Sequence, residues 1–307
     1  NGHLTRVQGE GFERRFHYDG ADRLTRSELR IAGFRTVVEE ASYHPNGAEE
    51  SRTLRVRDAE GEPLETVKQP FRYDASGRPV ALDVNGTALL EMRYGDRGQL
   101  DRVLTPAGSV YHHYDAATER LRGLTHASTT TATDLGWEYD ARGHVASEDY
   151  GVDDGETRTR VYQYDPRGFL TGVTDPGADE GYDYDRDGRS AQADSTRDVF
   201  DALGRLAERT AADGSTHVYR YGARGQLDTA HVRGASLAYT YDHANQRVAK
   251  QKNGVTVAAF VGESYLDEDQ LVTPVKVGGR LIGLLVNGIF QAVAADLRNS
   301  VVRVDGQ

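Results

Sequence analysis

One seven-residue phrase, aromatic-Asp-x-x-Gly-x-(Leu/Val), is written in some form twelve times between Tyr18 and Val248. It stands most plainly as YDASGRP at Tyr73, YDARGHV at Tyr139, YDPRGFL at Tyr164, FDALGRL at Phe200 and YGARGQL at Tyr221. From Tyr73 onward the units begin at 73, 94, 114, 139, 164, 184, 200, 221 and 241, so the step is 16 to 25 residues. That step is too short for a pair of helices and right for one β-hairpin.

The phrase has a steric logic. The aromatic ends a strand, the Asp carboxylate accepts hydrogen bonds from the turn amides, and the Gly takes the positive φ that closes the turn. Nine units keep that Gly, at 47, 61, 77, 98, 143, 168, 188, 204 and 225. Two others put Asp22 and Asn245 there, the side chains that best tolerate the left-handed region, and the unit at Tyr114 holds one extra residue. The residues expected to build the turns are therefore Tyr73, Asp74 and Gly77; Tyr139, Asp140 and Gly143; Tyr164, Asp165 and Gly168; Tyr184, Asp185 and Gly188; Phe200, Asp201 and Gly204; Tyr221 and Gly225; and Tyr241 and Asp242. A second set of turns, Asn85-Gly86, Asp213-Gly214, Asn253-Gly254 and Asn287-Gly288, has the composition of two-residue type I′ hairpin loops. Between them run stretches such as STHVYRY at Ser215 and SLAYTY at Ser236, alternating and rich in Thr, Val and Tyr. The expected fold is all-β, a long antiparallel meander of consecutive hairpins.

Apolar residues make up 37% of the 307 and 34 are glycine, with a mean hydropathy of −0.64. This is lean for a thick core, and predicts a sheet wetted on much of both faces whose stability accumulates from neighbour to neighbour. A net charge of −11 argues against a nucleic-acid or anionic-membrane partner, which would need clustered Lys and Arg. There is no cysteine, so neither disulfides nor a thiolate metal site contributes. The longest apolar run, Leu281 to Val286, is far short of the roughly 20 residues of a membrane helix. No basic-then-apolar export signal opens the chain, and Asn1 reads as a mid-chain start.

Few residues point to chemistry. Asp183, Asp185 and Asp187 with Asp194 at the twelfth place imitate the spacing of a calcium loop, but the twelfth ligand is not Glu and no flanking helices are legible. His112 and His113 fall in one strand and point to opposite faces. Ser264 lacks the second Gly of a nucleophile elbow. Glu263, Asp267, Glu268 and Asp269 form an acidic loop, the composition of a glycosidase carboxylate pair and equally of a solvated turn. No cofactor site and no catalytic residue is expected.

In wording and spacing the repeats resemble the RHS, or YD-repeat, family, through the Tyr-Asp pairs at 73–74, 139–140, 164–165, 184–185 and 241–242. The likeness covers about 230 residues. Val277 to Gln307 is similar to the entry of the family's RHS-associated core: Asp296-Leu297-Arg298-Asn299-Ser300-Val301 and Asp305-Gly306 fill the places of a D-H-L-G-S-V phrase and a following D-x-D-G, with the His absent and Asn299 for Gly. The expected division is a repeat array over 1–255 and an incomplete core-like segment over 256–307.

The resemblance implies a β-ribbon that spirals into a hollow shell. In bacterial Rhs proteins and the B and C components of insecticidal toxin complexes such a shell encloses a C-terminal toxin; in teneurins it belongs to a cell-surface adhesion protein. The aspartyl self-cleavage site of the toxins belongs at the far end of the core, beyond Gln307, so no residue here inherits it. The resemblance thus implies a non-catalytic length of wall, secreted or at the cell surface. Its partners would be the rest of the shell, an enclosed C-terminal toxin domain, and a secretion apparatus or surface glycan. The alternatives are a surface adhesion or carbohydrate-binding module and, third, a glycoside-acting enzyme.

Overall fold

A computed structural model describes residues 2–128, 132–151, 156–175, 178–184, 188, 190–193, 196–267, 270–299 and 301–304. Every regular element in them is a strand, from Arg6–Gly9 to Val301–Val304. Within each compact unit strands pair antiparallel with their neighbours in chain order, as Phe12–Tyr18 does with Leu24–Ile31 and Leu24–Ile31 with Thr36–Tyr43. Among the described residues no helix is long and apolar enough to cross a membrane.

Turn chemistry sets this pattern. At nine of the aromatic-Asp turns the strand register shifts by one residue just before the aromatic, so that the aromatic pairs with the seventh residue of its own phrase: Tyr18 with Leu24, Tyr73 with Pro79, Tyr164 with Leu170, Phe200 with Leu206. A five-residue loop closed by a bulge follows each time, and the bulge needs a left-handed residue at its fifth place. That residue has φ between +58° and +97° in all twelve phrases, at Asp22, Asn245 and Glu119 as well as at the nine glycines. Glu119 is the answer to the extra residue after Tyr114.

One expectation about turns, at Asp213, is corrected, and the phrase at Arg57 is placed differently from its neighbours. The phrase at Arg57 has the same five-residue form, with Arg57 paired to Pro63, but it joins Glu49–Arg57 to Pro63–Tyr73 and so closes the opposite ends of the strands from the turns at Tyr43 and Tyr73. Asp213-Gly214 is not a two-residue loop. Ala211 N–H donates to Ser215 O and Gly214 N–H to Ala211 O, both at 2.9 Å, and only Gly214 has positive φ, so it copies the five-residue turn. Among the described residues, the two-residue loops with both residues at positive φ are Asn85-Gly86, Asn253-Gly254, Asn287-Gly288, Arg233-Gly234 and Gly278-Gly279.

The chain forms two compact units, one of residues 1–108 with 238–307 and one of residues 109–237. Their interiors differ. Of the 37 buried apolar side chains described, the first unit holds 31 and the second six. In the first unit the strands Gln270–Val277, Arg280–Val286 and Ile289–Ala295 have runs of consecutive buried residues, such as Leu271-Val272-Thr273, which requires cover on both faces. A β-carbon added to Gly288 would lie 3.2 Å from Asn85 Nδ2 and 3.6 Å from Val67 Cγ2, which places the end of the chain against strands from its beginning. The thin sheet expected from mean hydropathy is the second unit. The first unit is a packed core that the average conceals.

Candidate functional site: the clamped turns

The recurring side-chain arrangement of this chain is a clamp around each turn. At Asp74 one carboxylate oxygen accepts from the backbone N–H groups of Ser76 and Arg78, each at 2.9 Å, and the other from Arg78 Nε at 2.8 Å. Asp19 and Asp201 do the same with Arg23 and Arg205. Asp140 pairs with His144, and Asp165 takes its cation from Arg167. The backbone N–H of Arg23 at Asp19 and of Arg78 at Asp74, and the guanidinium of Arg205 at Asp201, hold these carboxyls below the usual carboxylate range. At Asp140 and Asp165 desolvation is the largest single effect and pushes up, but the backbone and side-chain hydrogen bonds of His144 and Arg142, and of Phe169 and Arg167, together hold the carboxyls below the usual range.

The aromatic of the next turn completes the clamp. Its hydroxyl donates to the carbonyl of the seventh residue one turn back: Tyr43 to Leu24 at 2.8 Å, Tyr94 to Pro79 at 2.7 Å, Tyr139 to Leu121 at 2.6 Å, Tyr164 to Val145 and Tyr221 to Leu206 at 2.9 Å. Its ring lies under the sixth side chain of that turn. Arg23, Arg78 and Arg205 sit 4.8, 4.6 and 4.8 Å from the centroids of Tyr43, Tyr94 and Tyr221. His144 stacks on Tyr164 at 4.8 Å and Phe169 on Tyr184 at 5.1 Å. Arg23, Arg78, Arg205 and His144 thus bind their own Asp on one side and the neighbouring ring on the other, while the Phe169 side chain makes only the ring contact. Withdrawal from water pushes the Tyr43, Tyr73, Tyr94 and Tyr221 hydroxyls up from 10. These ring and carbonyl partners were not foreseen; the one signal was the Arg recurring beside the turn Gly.

The motif continues past the last Tyr-Asp pair. At Asp296, Ala295 pairs with Val301 across a shifted register, Asn299 has φ +62° and donates N–H to Asp296 O at 3.1 Å, and Asp296 accepts from Arg298 N–H at 2.8 Å. Asn299 Oδ1 also accepts from Leu281 N–H at 2.9 Å. At the other end His3 stacks on Tyr18 at 4.6 Å and Leu4 O accepts the Tyr18 hydroxyl at 3.2 Å, so His3 and Leu4 fill the sixth and seventh places for Tyr18.

Asp242 is the clamp that reaches across the fold. It keeps the N–H groups of Ala244 and Gln246 and, 1% exposed, meets Arg14 Nη1 at 2.8 Å, 228 residues away. Arg14 Nε donates to Ser27 Oγ at 3.1 Å. In the second unit buried Glu148 accepts from Trp137 Nε1 at 3.0 Å and the Tyr162 hydroxyl at 2.8 Å, while Arg160 spans from Glu148 to Asp175 at 3.6 and 2.6 Å. Desolvation, reinforced by Glu148, pushes the Tyr162 hydroxyl up to about 12. This network is internally paired, with Trp137 at the edge of a groove of about 740 Å³ and Tyr162 at one of about 400 Å³.

The other residues considered for chemistry do not converge. Ser264 is buried and donates to Thr273 Oγ1 at 3.1 Å. His112 is buried while His113 is exposed, its Nε2 2.9 Å from Thr125 Oγ1. Glu263 pairs with Lys276, and Glu268 and Asp269 lie outside the described residues. Of the calcium spacing only Asp183 is described, on an exposed strand position; Asp185, Asp187 and Asp194 are outside. Among the described residues no group of three or more His, Asp or Glu is placed to hold a metal ion. A cavity of about 740 Å³ is an open groove of the second unit over Gly123 and Gly136, which face each other on adjacent strands, with Asp134 and Asp149 at its sides.

Fold and clamps together define a structural repeat protein, in which the recurring polar side chains serve hairpin-to-hairpin linkage. Residues 124–271 match the family model described as the Teneurin YD-shell, which supports the resemblance of the repeats to the RHS/YD family. No curated protein sequence matches the chain. Matched solved structures include the Tc holotoxin pore of Photorhabdus luminescens, at 14% identity and a TM-score of 0.41 over 94% of this chain. Another is the TcdB2-TccC3 structure, at 14% identity and 0.43 over 95% of this chain. This chain spans 23% and 24% of those chains.

Proposed function

We propose that this chain is a length of non-catalytic wall in an RHS shell that encloses a toxin encoded C-terminal to it. The observation that carries the reading is the assignment of the polar residues. At the described clamps the Asp, Arg and Tyr, which in an enzyme would be free to act, are taken up in closing a turn or joining it to the next. The match to a YD-shell model supports the same reading. Residues 1–255 are then repeat wall and 256–307 the opening of the RHS-associated core, which the clamp-like turn at Asp296 joins without a change of geometry. The partners are the remainder of the shell and the enclosed toxin domain, and the location is secreted or at the cell surface. A net charge of −11 suits a wall that gives an unfolded passenger little apolar surface on which to collapse. Electron cryomicroscopy of the complete parent protein tests this: a closed shell with density inside supports it, and an open or solid particle overturns it.

A second reading, a surface adhesion module, is favoured by the matched model being that of the teneurins. It requires the parent protein to bind cells or glycans with no enclosed piece.

A further inference from the structure

Strand alternation gives the second unit two unlike faces. The cross-strand partners Gly123 and Gly136, Gly136 and Asp149, Asp149 and Thr159, Val161 and Thr174, and Gly172 and Gly181 stand on one of them. On that face the described residues of Leu121–Ser128, Ala132–Tyr139, Val145–Gly151, Thr157–Tyr164, Leu170–Asp175 and Ala178–Tyr184 include the exposed carboxylates Asp134, Glu138, Asp149, Asp179 and Asp183, and no Lys or Arg. The cations of these strands, Arg122, Arg158 and Arg160, alternate to the other face, with Leu124, Leu135 and Glu148. The five glycines of these strands, Gly123, Gly136, Gly151, Gly172 and Gly181, all fall on the acidic face.

None of these glycines has positive φ, so no turn demands them. A β-carbon on Gly136 would meet Asp149 Cβ at 3.6 Å, one on Gly151 the Asp134 backbone N at 3.5 Å, and one on Gly181 nothing within 4 Å, so the fold has room for side chains there. Glycine weakens a strand and serves where another backbone comes close. The open groove of about 740 Å³ lies over the Gly123–Gly136 pair, with Asp134, Glu138 and Asp149 among its walls, and its volume is that of a ligand site. Arg120 and Arg122 also border the groove, Arg120 drawn 5.6 Å over the Tyr139 ring.

We propose that this face docks an extended, basic segment of polypeptide, with its backbone over Gly123 and Gly136 and its Lys or Arg side chains reaching Asp134, Glu138 and Asp149. Charge sets the choice of partner: five carboxylates with no cation among them draw in a cationic chain and repel an acidic one. The hydroxyls of Thr157 and Thr174, on the same face, can give and take hydrogen bonds with peptide groups. Among the described residues of the face there is no aromatic ring on which a sugar would stack. The inference rests on the shell reading for its source: the segment belongs to the passenger.

Fluorescence anisotropy of the whole chain with a labelled peptide of alternating Lys and Ser tests it, with the Glu-Ser counterpart as comparison. The Lys-Ser peptide is expected to bind, more weakly as salt rises, and the Glu-Ser peptide not to. Asp134→Asn/Asp149→Asn should lower the affinity about tenfold. Asp96→Asn/Asp101→Asn, the same change of charge at exposed carboxylates of the first unit, should leave it as it was. Gly136→Leu, which fills the groove and removes no charge, should also lower it about tenfold, at an unchanged or higher melting temperature. Absence of Lys-Ser binding, an equal loss in the Asp96→Asn/Asp101→Asn chain, or tighter binding of a neutral glucan overturns the inference, and the two Asn pairs decide it even if Gly136→Leu does not fold. Each of these results leaves the shell reading standing. An open or solid parent particle would instead overturn the passenger as the source and leave the binding measured here intact.

Discussion

The hydroxyl of Tyr94 donates a 2.7 Å hydrogen bond to the carbonyl of Pro79, a residue of the preceding turn, while Arg78 lies 4.6 Å over its ring. One side chain thereby joins two repeats by a polar and a stacking contact at once. Tyr94→Phe removes the hydroxyl and keeps the ring, and should cost about 1 kcal/mol, the usual net value of one such bond. Tyr43→Phe breaks the bond to Leu24 in a separate clamp. The double variant should show the sum of the two losses to within about 0.5 kcal/mol, since no partner is shared. Chemical denaturation of the four proteins measures this; strong non-additivity would mean that the rungs act as one network.

Asp242 and Arg14 make a different kind of contact, a buried ion pair closing the two ends of the chain on one another. Arg14→Met leaves the Asp242 carboxylate enclosed without its cation and should cost about 3–5 kcal/mol. Asp242→Asn in the same chain should recover part of the loss, because the amide oxygen still accepts from Ala244 and Gln246. Denaturant midpoints of the single and double variants decide it. Equal losses in both would show that the charge is not what matters there.

The clamp carboxyls predict a response to acid. Asp19, Asp74, Asp115, Asp140, Asp165 and Asp201 are all held below 3.8 in the folded chain. A depressed folded value means stability that is complete above the unfolded value and is lost as pH falls below about 4. The hydroxyls of Tyr43, Tyr73, Tyr94 and Tyr221, held above 10, have the opposite sign: their contribution is complete below pH 10 and is lost as pH rises beyond it, since an ionised phenol cannot donate. Thermal melts across pH should give a plateau bounded by both falls. In Asp74→Asn/Asp201→Asn the acid fall should be shallower.

Asn287 does more than turn the chain. With φ +49° it donates its N–H to Leu271 O at 2.9 Å and accepts Leu271 N–H on Oδ1 at 2.8 Å, as Asn85 does with Lys68. Asn287→Gly keeps the left-handed residue and loses one bond, a loss of about 1 kcal/mol. Asn287→Ala loses the bond and adds the left-handed strain, about 1–2 kcal/mol more. Melting temperatures in the order natural chain, Gly, Ala check this.

What could be read from the sequence is what local sterics dictate. A residue forced to positive φ leaves Gly, Asn or Asp behind, so the turns at Gly77, Gly204 and Asn245 were legible, and with them the hairpin order. Even there composition misled at Asp213, where Ala211 sets the frame of a five-residue turn. The clamp was half legible: Asp74 announced its own turn, but the Tyr94 hydroxyl finds its acceptor on another hairpin, and no phrase names that partner. Arg14 and Asp242, 228 residues apart, leave no mark in either neighbourhood. The packed first unit was missed because mean hydropathy averages Leu271-Val272-Thr273 with the wet strands of the second.

The central claim is that the chain walls in a passenger, and protease treatment of the complete parent protein tests it most directly, with the C-terminal piece followed on denaturing gels and by intact mass. The account predicts a C-terminal fragment that is severed, stays bound and survives protease until the shell is unfolded. A parent protein that stays whole, or whose C-terminal region is digested while the repeats remain folded, would contradict it.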